Sequence, residues 1–67
     1  MNTFIIIGGR YVNTNNLLFV DAVPNQSEGM DILLVMVGNV VKKVGEVKDG
    51  DEAVEFMKSI YDAVEGR

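Results

Sequence analysis

At 67 residues, 48% hydrophobic and 24% charged with a single proline, the chain has the composition of one folded domain and not of a disordered segment. It sits near the size at which a core alone barely offsets conformational entropy. Lacking cysteine and histidine, it also has no disulfide, no thiolate or imidazole zinc ligand, and no partner for a Ser-His or Cys-His nucleophile. The net charge of −4 is uneven: residues 1–48 set four acids against four bases, whereas residues 49–67 hold six acids and two bases.

Taken in chain order, β-branched and aromatic runs punctuated by glycine and asparagine predict strands through residue 48. A first strand covers about residues 3–7, Gly8-Gly9 makes a tight turn, and Arg10 to Val12 forms a short second strand. Asn13-Thr14-Asn15-Asn16 is a turn of side chains that bond their own backbone. Leu17 to Val23 is the next strand, Pro24 to Gly29 a polar loop, Met30 to Val37 a long strand, Gly38-Asn39 a two-residue turn, and Val40 to Val47 the last strand. Residues 49–65 then read as an amphipathic helix, with Ala53, Phe56, Met57, Ile60, Tyr61 and Val64 forming one stripe. Asp49 is its N-cap, Glu52 completes a capping box, Asp51 suits the positive end of the helix dipole, and Gly66 is the stop.

The expected fold is a single α+β domain over residues 1–67. A four-stranded antiparallel β-meander, five-stranded if Arg10 to Val12 is counted, occupies residues 1–48, and the carboxy-terminal helix of residues 49–65 packs on it. In the strand Met30 to Val37, Ile32, Leu34 and Met36 point one way and Leu33, Val35 and Val37 the other, so both faces are apolar while one helix covers one face. Burying the second face in a homodimer through Leu33, Val35 and Val37 is the expected remedy; the alternative is a sheet curled into a near-barrel. Val40 to Val47 places Lys42, Val44 and Glu46 on one face and Lys43, Gly45 and Val47 on the other. That mixed pattern marks an edge strand guarded by lysines.

The residue inventory argues against catalysis, because only carboxylates, lysines and tyrosines remain for proton transfer. No cofactor or metal is expected. Asp49-Gly50-Asp51-Glu52 begins like a calcium loop, but the twelfth position of that loop would be Ile60, so helix capping accounts for it better. Ile7-Gly8-Gly9-Arg10 lacks the helix that a phosphate-binding turn must open, and reads as a hairpin. The longest apolar run, Ile32 to Val37, is far shorter than the ~20 residues that cross a bilayer, and Met1 to Ile7 lacks the marks of a secretory signal. A cytoplasmic protein without membrane contact is therefore expected, in which Asn25-Gln26-Ser27 is a chance match to a glycosylation acceptor.

The function expected is a non-enzymatic interaction or regulatory module that binds another protein, with the open sheet face and the acidic helix residues Glu55, Asp62 and Glu65 as candidate surfaces. The rival is a single-stranded nucleic-acid binder using Arg10, Tyr11, Lys42 and Lys43, with bases stacked on the sheet and cations along the backbone. Six bases against ten acids weigh against that rival.

Gly9-Arg10-Tyr11-Val12-Asn13, Leu17 after three further residues, a Pro24-containing turn, an apolar strand, a Gly-Asn turn, another strand and an acidic-start helix together resemble the small flagellar-operon proteins of the FlbD type. The same plan recurs in other short bacterial and phage proteins. The resemblance spans nearly the whole chain and implies an accessory or regulatory role with no catalytic residues. The sequence departs from that pattern in the Pro24 to Gly29 loop and in Gly38-Asn39, where the family more often has Asn-Gly.

Overall fold

Strand-forming runs and their turns sort into two sheets. In the computed structural model, which describes residues 3–66, β1 (Phe4–Ile7) pairs antiparallel with β2 (Arg10–Asn13), and β3 (Leu17–Pro24), β4 (Met30–Met36) and β5 (Val40–Val47) form a separate antiparallel meander in the order β3-β4-β5. The helix α1 (Gly50–Glu65) follows, completing an α+β fold. No helix among the described residues is long and apolar enough to cross a membrane.

The break between the sheets lies in the asparagine-rich segment. The Asn13 Oδ1 accepts from the Asn15 N–H at 3.0 Å and opens one turn of 3₁₀ helix over Thr14–Asn16, so the chain leaves the hairpin and β3 starts a new ladder. The meander thus has three strands, not the four or five of a single continuous sheet. The turn between β4 and β5 is also longer than expected: Met36 pairs with Val40, leaving Val37, Gly38 and Asn39 in the turn. The Val37 N–H reaches back to the Asn16 carbonyl at 2.8 Å, tying this turn to the 3₁₀ segment.

One face of the meander carries the core. Ile32 and Leu34 on β4 are 0% exposed, and Val44 of β5, Ile5, Ile7 and Val12 of the hairpin, and Ala53 and Ile60 of α1 close over them. Each such aliphatic side chain taken from water is worth roughly 1.5–3 kcal/mol, and the hairpin supplies three of them, so it is as much a part of the cover as α1. The helix packs on β4, β5 and also on β1. That second neighbour rotates the buried arc toward Phe56 and Ala63, and Tyr61, expected in the apolar stripe, is 54% exposed instead. Capping follows the sequence closely: the Asp49 carboxylate accepts from the Glu52 N–H at 3.0 Å, while the Glu52 carboxylate reaches the N–H of Lys48, one residue before the cap, at 2.8 Å. Gly66 ends the helix in the left-handed region.

A β-bulge in β5 decides which side chains face the core. Ile32 pairs with Gly45 and Leu33 with Lys43, so Val44 is the extra residue and turns inward. Both of its neighbours require glycine. A Cβ on Gly45 would lie 2.8 Å from the Phe56 ring, and Gly8, with φ at +56°, sets its backbone against the Val44 carbonyl where a Cβ would collide. The bulge shifts the alternation expected for this strand. Glu46 joins Lys43 on the open face, and Gly45 and Val47 lie on the core side with Lys42.

Candidate functional site

The face of the meander turned away from α1 and the hairpin has no cover among the described residues. Its register sets out three rows across β3, β4 and β5: Phe19, Val35 and Val41; Asp21, Leu33 and Lys43; Val23, Asp31 and Glu46. Phe19 and Val41 are each 53% exposed, and Leu33, Val35 and Val23 are half-buried by their neighbours in the sheet. The sheet has not curled into a barrel: β3 and β5 both remain edges. A bulge between Leu17 and Phe19 puts Leu18 out of register and exposed beside this face.

Apolar and charged ends divide the face. At the Pro24 end, Lys43 Nζ lies 3.5 Å from Asp31 Oδ1 and 3.4 Å from Glu46 Oε1. Partial desolvation on the sheet lowers the Lys43 pKa, but the hydrogen bond to Glu46 and the charges of Asp31 and Glu46 outweigh it, leaving the ammonium above its ordinary value of 10.5. Asn25 anchors the same end. Its Nδ2 donates to Asp31 at 2.9 Å, and its Oδ1 accepts from the N–H groups of Ser27 and Gly29, so the Pro24 to Gly29 loop is built around one side chain. Along β3 the outer edge is partly closed: the Ala22 N–H donates to the Asp21 carboxylate at 2.9 Å, and Pro24 has no N–H to offer an added strand.

Of the residues proposed for self-association, Leu33 and Val35 lie at the centre of this face, whereas Val37 has left the strand for the exposed turn. Phe19 and Val41, which flank Val35, belong with them; the signal for both was the cross-strand register, which depends on two bulges. Glu55, Asp62 and Glu65 are all exposed on α1, with Lys58 Nζ 4.0 Å from Glu55. The four nucleic-acid candidates do not form one surface. Arg10, Tyr11 and Lys42 line a cleft of about 290 Å³ between β2 and the core side of the meander, and Lys43 is on the opposite face. The outer side of the hairpin presents Phe4, Ile6 and Tyr11, with the Phe4 and Tyr11 rings stacked at 5.0 Å and 6°. Among the described residues no group of three or more acidic, histidine or cysteine side chains is arranged to hold a metal ion.

Comparison with known proteins adds no relative: no protein-family model matches the sequence, and no curated protein or solved structure matches it significantly.

Proposed function

We propose that the chain is a non-enzymatic interaction module whose binding surface is the open face of the β3-β4-β5 sheet, and that a second copy of the chain occupies that face. The observation that carries this reading is the self-complementary layout of the Phe19-Val35-Val41 and Asp21-Leu33-Lys43 rows. For two sheets packed face to face about a two-fold axis running along β4, β3 of one copy lies over β5 of the other. Phe19 then meets the partner's Val41, Asp21 meets the partner's Lys43, and Leu33 and Val35 meet their own counterparts, so in these two rows apolar groups face apolar groups and opposite charges face each other; the third row sets Val23 against the partner's Glu46 and Asp31 against its own counterpart, each Asp31 with its own Lys43 beside it. The absence of cysteine and histidine supports the non-enzymatic part. An accessory role of this kind also agrees with what the resemblance to FlbD-type proteins implies. The pair leaves the acidic side of α1, with Glu55, Asp62 and Glu65, outside the interface for a further protein.

Asp21→Lys tests the layout. It removes an attraction and sets like charges opposite each other at two symmetric points, so the pair should dissociate at markedly higher protein concentration in light scattering while the secondary structure stays the same. An unchanged dissociation profile would contradict this arrangement.

A further inference from the structure

We propose a second, separate site: the cleft between β2 and the core side of β4 and β5 binds a small organic anion, a phosphate carried on a flat aromatic body of the size of one nucleotide. This does not depend on the self-association of the sheet, which uses the opposite face. Among the described residues the ion pairs engage Lys43 and Lys58, and neither Arg10 nor Lys42 takes part in one. Both line this cleft, and no acidic side chain among the described residues does, in a chain with ten of them. The two hollows around the Pro24 to Gly29 loop are the reverse case, with Glu46 in both and Glu28, Glu52 or Asp31 beside it. Two unneutralised cations lining one cleft without a carboxylate among its described lining residues make a local anion site.

The rest of the cleft suits an aromatic body. Half-buried Met36 forms the apolar floor, with Leu34 sealed in the core beneath. Tyr11 stands at the rim of the cleft, on the outer side of the hairpin: it is 73% exposed and its ring is stacked on Phe4, so a planar group would meet it only at that rim. Asn13 spends its Oδ1 on the Asn15 N–H and so presents the side-chain amide as a donor. At about 290 Å³ the cleft falls just short of the roughly 300 Å³ at which ligand pockets start, which limits it to a small ligand. A longer single strand is disfavoured because it needs cations along its path, and Lys43 is on the far side of the sheet.

The test is a titration of backbone amide resonances with adenosine monophosphate, adenosine and inorganic phosphate, on the wild type and on Arg10→Gln/Lys42→Gln, with thermal melts to show that the variant folds. The expected result is saturable shifts at Arg10 to Asn13, Asn16, Met36 and Lys42 with the monophosphate. Adenosine or phosphate alone should bind at least ~10-fold more weakly, as should the monophosphate to the double variant, the size expected when a charge-assisted contact is lost. No shift at these amides at millimolar ligand, or an equal response in the folded double variant, would overturn the site. Phosphate as effective as the monophosphate would overturn the aromatic part, and much tighter binding of a short oligonucleotide, with shifts extending beyond the cleft, would replace the small ligand with a strand.

Discussion

Ile32 and Leu34 on one side of β4, and Leu33 and Val35 on the other, are neighbours in sequence with nearly the same chemistry, yet they do different work. The first pair is sealed by side chains from the hairpin, β5 and α1 and carries the stability of the fold. The second pair sits in a sheet face that none of the described residues covers, flanked by exposed Phe19 and Val41. A hydrophobic strand thus does not declare its role by composition. What separates structural from associative side chains here is which face the remaining elements reach, and a helix with a four-residue hairpin strand beside it reaches only one.

Substitutions on the two faces should therefore differ in kind. Leu34→Ala opens a cavity under the hairpin and should cost about 2–5 kcal/mol in denaturant unfolding. Leu33→Ala, measured at a dilution where the pair is separated, should cost less than half as much, and equal costs would erase the distinction. Gly45→Ala probes the inner face from β5: the added methyl meets the Phe56 ring, and a loss of about 1–3 kcal/mol is expected, partly recovered by adding Phe56→Leu. Asp49→Ala, which removes the cap of the helix covering the inner face, should lower stability by about 1 kcal/mol in thermal melts without changing association.

The smallest effect belongs to the charged end of the open face. The Lys43 pKa is raised in the folded chain, so its stabilising contribution is fully present below the unfolded value of 10.5 and is lost as the pH climbs through the higher folded value. The difference in urea midpoint between wild type and Lys43→Met should accordingly shrink as the pH is raised past that point. A difference that stays constant would mean that the Lys43, Asp31 and Glu46 cluster does not contribute through charge.

Much of this was legible in the sequence because it rests on local periodicity. Period-two alternation separated Ile32 and Leu34 from Leu33 and Val35, the strand Val40–Val47 and its edge position followed from its composition and turns, and Asp49 announced the helix start. What the sequence did not show depends on contacts between distant segments. The bulge at Val44 is held by the Gly8 turn from one side and the Phe56 ring from the other, and it alone moves Glu46 to the open face. The Thr14–Asn16 turn, which splits the strands into two sheets, resembles any asparagine-rich turn until its 3₁₀ hydrogen bonds are seen. Tyr61 was misplaced because β1, as well as the meander, packs on α1. Alternation did assign Lys42 and Lys43 to different faces, which suffices to divide the nucleic-acid candidates between two surfaces.

The most direct measurement is sedimentation equilibrium on the wild type and on Val35→Lys, which puts a charge at the centre of the open face and leaves the core untouched. A wild type that moves reversibly between one and two copies with dilution, and a variant that keeps its helical and strand signal as a monomer, is the outcome expected. A wild type that stays monomeric at high concentration, or a Val35→Lys variant that pairs as tightly as the wild type, would contradict the assignment of this face to a second copy of the chain.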